Sequence, residues 1–331
     1  MSLNLIQALI TNYSFRAKSI VELSMSKYFK REYSSLYRAI SGFYASRKCS
    51  NGRETKRRET REKITSFLLE KSLSSKKKVY KFFLDMTGII KKHSSKSQDR
   101  SYIYSNGNIE VGHLYSSICL GAGEGWMLPL SMERIPTAEN KFDFSVSQIT
   151  PILNKVSKDA LIVCIGDSAY CCNKFLQPLS KHKNVITVTR VRSNKVIFTK
   201  YTDKKTSVGR KREYGVKHYL TKGDLPKANS VKTIEERTSK GKIQQVKISL
   251  YENYICRGSK DHKMSDVPTN FASVEVFKED GTKKYNRNLW LEVVGDRKEE
   301  LSLKDIYYAY KERFDIEHFF KFGKSKLLMD N

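Results

Sequence analysis

Residues 160–165, Ala-Leu-Ile-Val-Cys-Ile, followed by Gly166 and Asp167, constrain the fold of this chain more than any other segment. Six apolar residues run without a polar break. A surface helix shows a 3.6-residue stripe and a half-buried strand alternates, so this run reads as a short strand covered on both faces. Such strands belong to α/β sheets, in which chemistry gathers beyond the carboxyl ends. Asp167 stands at that position. A second run over 79–84, rich in aromatic residues, reads as a strand ending at Asp85. Strand-like segments follow at 109–120, 125–132 and 185–190, with a turn expected at 121–123. Residues 145–158 read as a helix, with Ile149, Ile152, Leu153 and Val156 on one side and Pro151 in its first turn. A further helix is expected over 173–181. From about 191 to 287 the texture becomes alternating segments, such as 244–251 and 272–277, set among glycine turns. Residues 288–294 read as a last strand.

After that strand come Tyr310, Arg313, Glu317 and Lys324. On one helix, at about 100° per residue, they fall within about 60° of each other. The same face carries Ile306, Phe314 and Phe320, so it is expected to point into the protein. Buried Glu and Arg need a partner or a task.

This spacing, Y-x2-R-x3-E-x6-K, resembles the YREK signature of DDE transposases from insertion sequences, in which the Glu is the third catalytic carboxylate. The stretch Asp167-Ser-Ala-Tyr170 is similar to the family's pattern around its second Asp. The resemblance covers residues 79 to 331. It implies an α/β, ribonuclease H-like core interrupted by a mostly β insertion, with an α-helical N-terminal module that binds DNA. The corresponding expectation is a basic helical module over 1–78, the first part of the core over 79–190, the insertion over 191–287 and the end of the core over 288–331. It also implies that Asp85, Asp167 and Glu317 are the catalytic and metal-binding triad. Two Mg²⁺ (or Mn²⁺) ions would suit such a triad, since hard cations take oxygen ligands and two of them can clamp a phosphoryl centre. A metal-activated water would then nick the element's 3′ end, and the freed 3′-hydroxyl would join it to target DNA without a protein–DNA adduct. No Ser or Tyr has an evident activating His. Arg313, Lys324 and Tyr310 are expected on DNA phosphates. Arg190, Thr87 and Arg192 read either as lining the same channel or as turn caps and solvent-facing groups, and Trp290 either as holding a flipped base, as in hairpin-forming relatives, or as a core residue of its strand. The implied partners are double-stranded DNA with terminal inverted repeats, a target duplex and a second copy of the chain.

Composition agrees with a polyanion partner. The chain has 62 Lys and Arg against 35 Asp and Glu, a formal net charge of +27. Residues 1–78 alone hold 18 against 6. The six Cys are scattered apart from the adjacent Cys171 and Cys172, without zinc-ligand spacing, and read as reduced, buried thiols. The six His are equally dispersed. There is no signal peptide and no apolar stretch of about 18 residues, so a soluble, cytoplasmic protein that meets no membrane is expected. Two rivals explain part of this: a host nuclease of ribonuclease H type, and a non-catalytic DNA-binding remnant of a transposase. The stop seven residues after Lys324 suggests a C-terminally truncated copy.

Overall fold

The computed structural model describes residues 50–73, 78–91, 99–105, 107–123, 125–192, 194–202, 212–220, 225–238 and 240–326, with residues 22, 24, 25, 34 and 35 nearer the start. Most of the basic module expected over 1–78 therefore lies outside the described residues. Its longest described part is a helix, α1 (Ser50–Ser72). Leu69 of α1 is buried, and Thr65 Oγ1 donates to the Leu130 carbonyl at 2.9 Å.

Twelve strands follow: β1 (Val79–Ile90), β2 (Ser101–Ser105), β3 (Asn108–Gly123), β4 (Trp126–Arg134), β5 (Leu161–Gly166), β6 (Val185–Arg190), β7 (Val196–Lys200), β8 (Tyr214–Tyr219), β9 (Ser230–Arg237), β10 (Ile243–Tyr254), β11 (Thr269–Lys278) and β12 (Leu289–Val294). Helices α2 (Lys141–Leu153) and α3 (Asn173–Leu179) flank β5; α4 (Leu303–Glu312) and α5 (Asp315–Lys326) follow β12. Ten strands form one mixed sheet, ordered β2-β3-β1-β5-β6-β12-β11-β10-β9 with β4 paired to β3. β1, β5 and β6 are parallel, which is why β5 is buried at every position. The segment 191–287 is β-rich as its pattern indicates, and three of its strands extend this same sheet past β12. Among the described strands, β7 and β8 alone pair apart.

Each face of the sheet carries its own core. Phe82, Leu84, Ile162, Trp290 and Phe271 pack with α1, α2 and α3. Phe83, Val163, Ile165, Leu291 and Val293 pack with Ile306, Tyr310, Ile316 and Phe320 of α4 and α5. Alternation along the strands sends neighbouring residues to opposite cores.

Several elements differ from their sequence pattern. β1 does not stop at Asp85 but continues to Ile90, because β3 pairs with it antiparallel as far as Ile90↔Gly112. α2 starts at Lys141, four residues early, because the Asn140 side chain accepts from the Phe142 and Asp143 N–H groups. Pro151 therefore sits in its last turn. The turn expected at 121–123 falls later, around Gly125, where φ is 80°.

α4 is pinned to the far end of the sheet by Glu236 of β9. This carboxylate accepts from Lys311 Nζ at 3.0 Å, Tyr307 OH at 3.1 Å and Gln244 Nε2 at 3.1 Å. Burial opposes its charge, but the bonds from Lys311 and Gln244 outweigh that and hold it below the usual Glu range. A depressed acid stabilises the fold above its unfolded pKa, about 4.3, and stops doing so as pH falls through the lower folded value. Glu236→Gln is expected to cost about 1–2 kcal/mol at pH 7. That difference should shrink below about pH 4, as read from urea melts across pH; a pH-independent difference would assign the loss to packing alone.

Candidate active site

The parallel pairing of β1 with β5 ends at Phe83↔Ile165. Two residues further along each chain come Asp85 and Asp167, so both acids stand level, just past the carboxyl end of β5. Phe83 and Ile165 face α4 and α5, and Asp85 follows Phe83 by one alternation. Asp167 leaves the sheet in a tight turn, its Oδ1 accepting from Ala169 N–H at 2.9 Å. Gly166 permits that turn: a Cβ there would lie 2.7 Å from the Tyr170 Cβ.

The expected single helix through Tyr310 and Lys324 is two helices. α4 ends at Glu312, and Arg313 and Phe314 form a turn before α5. The N–H groups of Arg313, Phe314, Ile316 and Glu317 bond three residues back rather than four, which tightens and redirects the chain. The shared face predicted from a continuous helix is thereby broken. Tyr310 and Arg313 point inward, whereas Phe314 is 48% exposed and the Glu317 side chain 58%.

Arg313 joins the acids. Its Nη1 lies 3.4 Å from Asp85 Oδ2 and its Nη2 3.3 Å from Glu317 Oε1, with the Arg side chain only 9% exposed. Both contacts are longer than the roughly 2.7–2.9 Å of a tight charged hydrogen bond. Arg313 Nε is buried with no hydrogen-bond partner among the described residues. Burial pushes Asp85 up to about 6; the Met86 N–H and Arg313 oppose this, while Asp167 and Glu317 add to it. The three carboxylates thus sit close enough for two of them to bear on the third. Among the described residues, no group of three His, Cys, Asp or Glu is arranged to hold a metal ion, and the cation between Asp85 and Glu317 is Arg313.

The other predicted residues divide. Tyr310 is buried beside Arg313, its ring 5.6 Å from the guanidinium carbon; burial raises its phenol pKa and Arg313 opposes the rise. Lys324 Nζ donates to the Gly88 carbonyl at 3.0 Å, tying α5 to β1 three residues beyond Asp85, and shares a cleft with Thr87. Arg190 and Tyr310 line a cleft of about 860 Å³ with Lys283, Lys284, Arg287 and Phe314. Arg192 is exposed beyond β6. Trp290 is not brought to the acids. It is 7% exposed, packs in the core on the opposite sheet face, and lies 5.6 Å from the Tyr251 ring. Its place on β12 fixes this, since Leu291 takes the α4 side.

Sequence reasoning missed a polar cluster behind Asp167. Glu292 of β12 is fully buried, is paired with Lys195 Nζ, and accepts from Cys171 Sγ at 2.7 Å and Cys256 Sγ at 3.3 Å. The charged residue inside the apolar run of β12 was its one visible signal. The five described cysteines are free thiols; Cys119, Cys164 and Cys256 are buried, whereas Cys171 and Cys172 are half-buried.

A family model described as the transposase DDE domain matches residues 145–331, more than half of the chain. The chain belongs to the transposase DDE-domain family. No curated protein matches it. The matched span includes Asp167, Arg190, Trp290, Tyr310, Arg313, Glu317 and Lys324, and begins after Asp85. Membership makes the chain one of the nuclease and transposase enzymes, with DNA as partner and divalent metals as the family's usual cofactors. The mixed sheet with helices on both faces accords with such a transposase domain. No helix among the described residues is long and apolar enough to cross a membrane.

Proposed function

We propose that this chain is a DDE transposase of the YREK group, with a ribonuclease H-like core, that nicks DNA at the ends of an insertion element and joins the freed ends to target DNA. The observation that carries this reading is Arg313, held between Asp85 and Glu317 at the sheet end where Asp167 also stands. A buried guanidinium with long contacts and an unused Nε–H is a donor set suited to a phosphate oxygen.

In this reading Asp85, Asp167 and Glu317 would hold Mg²⁺ or Mn²⁺ once Arg313, which lies between two of them, turns to a DNA phosphate; their carboxylate oxygens are the hard donors such ions take. When bound, two ions would lower the cost of charge on the attacking and leaving oxygens. The chain's own residues position and neutralise. Arg313 and Lys324 hold phosphates flanking the scissile bond, and Tyr310 fixes the Arg313 plane. Arg190 extends the basic lining toward Lys283 and Lys284. Water is the first nucleophile: its oxygen bonds to phosphorus and a 3′-hydroxyl leaves. That hydroxyl is the second nucleophile: its oxygen bonds to a phosphorus of target DNA, the P–O3′ bond there breaks, and the target strand's own 3′-hydroxyl leaves. Two copies of the chain act together, one at each terminal inverted repeat.

The test supplies the full chain with duplex carrying the inverted repeat that flanks the reading frame, in Mg²⁺ or Mn²⁺. The expected product is a nick with a free 3′-hydroxyl. Asp167→Asn should abolish nicking while DNA binding persists. A trapped protein–DNA adduct, or full activity of Asp167→Asn, would sink the reading. Arg313→Ala should weaken binding of the cleaved end and lower the slope of log affinity against log salt by about 0.9 per lost phosphate; an unchanged slope would make Arg313 a structural ion pair.

A further inference from the structure

A second basic cleft lies apart from the acids, between the β7–β8 hairpin and the loop after β10. It encloses about 1000 Å³ and is lined by Arg212, Lys217, Arg257, Lys260 and Lys263 against one acid, Glu213. Three of these cations rest on rings instead of carboxylates. The Arg257 guanidinium carbon is 5.8 Å from the Phe198 ring centre and 5.9 Å from that of Tyr214. Lys217 Nζ lies 4.6 Å from the Tyr219 ring centre, and Arg212 lies 5.3 Å from that of Tyr201. A π face orients a cation without cancelling its charge, so the cleft keeps a strongly positive field. The Arg212 Nε also donates to the Tyr214 carbonyl at 3.1 Å, which fixes one wall. The other wall is tied to the acid site: Asn173 Nδ2, six residues beyond Asp167, donates to the Arg257 carbonyl at 3.1 Å.

We propose that this cleft is a second DNA site, which grips the sugar–phosphate backbone of duplex DNA outside the scissile position. The inference rests on the transposase reading for its polymer but not on the acids. A small-molecule pocket is mostly apolar with a few placed polar groups, and this lining is the reverse. Single strands are held by exposed aromatic platforms, whereas here Phe198 is buried and Arg257 covers Tyr214. Cations without free ring faces grip backbone without reading sequence.

The experiment measures binding of a labelled mixed-sequence duplex to the full chain across a salt series. The variant Arg212→Gln, Lys217→Gln, Arg257→Gln, Lys260→Gln, Lys263→Gln should lower the salt slope by about 4.5, at about 0.9 per phosphate released. Arg257→Lys, which keeps the charge, should leave the slope as in the wild type and guards against a folding effect. A control variant neutralises the exposed Lys232, Lys240, Lys242 and Lys247 and should leave the slope unchanged. A wild-type slope in the five-site variant, or an equal fall in the control, overturns the proposal. So does a loss confined to single-stranded DNA. Nicking by the five-site variant at saturating protein is expected to persist, because it leaves Asp85, Asp167 and Glu317 intact. Absence of nicking in the wild type, with the salt result as expected, would fault the catalytic reading and not the cleft.

Discussion

Asp85→Asn is expected to abolish nicking and yet raise the unfolding midpoint in metal-free buffer. Burial holds the Asp85 pKa at about 6, above the usual carboxylate value. Between about pH 4 and that value the folded protein keeps a proton that the unfolded chain has released, so stability falls as pH rises through this interval. At pH 7 the charged carboxylate is then a net cost, and two pKa units correspond to about 3 kcal/mol. Arg313 would lose one of its two carboxylates in the variant, which offsets part of the gain. The expected stabilisation is about 1–2 kcal/mol at pH 7, vanishing below about pH 4. Calorimetry in EDTA at several pH values, paired with a nicking assay, checks both halves. An Asn variant no more stable than the wild type at pH 7 would show that Arg313 fully compensates the buried charge.

The second large effect concerns Glu292. Burial alone would lower the Lys195 pKa, but Glu292 beside it, with the two thiols, carries it well above its ordinary value. Glu292→Ala leaves that ammonium buried without a carboxylate, a change that costs about 3–5 kcal/mol. The melting temperature should fall by about 4–7 °C. Replacing both partners, as Lys195→Met with Glu292→Leu, should recover most of the loss, since an apolar pair needs no desolvated charge. Circular dichroism melts of the three proteins decide it. A Glu292→Ala protein within about 1 kcal/mol of the wild type would mean that water reaches Lys195.

The parts of this fold that were legible in sequence are those where one local rule dominates. The run over 160–165 has a single reading, and β5 and Asp167 lie where it placed them. β6 and β12 follow for the same reason. Boundaries set by partners were not legible. Nothing in residues 86–90 announces a strand, and β3 draws them into one. The bend at Arg313–Phe314 was hidden because no Gly or Pro marks it; tertiary packing of Tyr310 on one side and Ile316 on the other decides it. The side of the sheet on which Trp290 falls depends on strand parity relative to α4, which a lone sequence pattern does not carry. Arg313 was expected to flank the acids from its place near Glu317; that it also reaches Asp85, 228 residues away, depends on the fold and not on spacing.

The bond that ties the Arg257 wall to α3 has a consequence for where DNA is opened. β5 and β6 are parallel neighbours in the large sheet, α3 lies between them in the chain, and its Asn173 holds the Arg257 backbone. A duplex gripped in that cleft would be held by a wall anchored six residues from Asp167, so the enzyme would carry its own ruler for where, relative to a held stretch of DNA, the phosphodiester is opened.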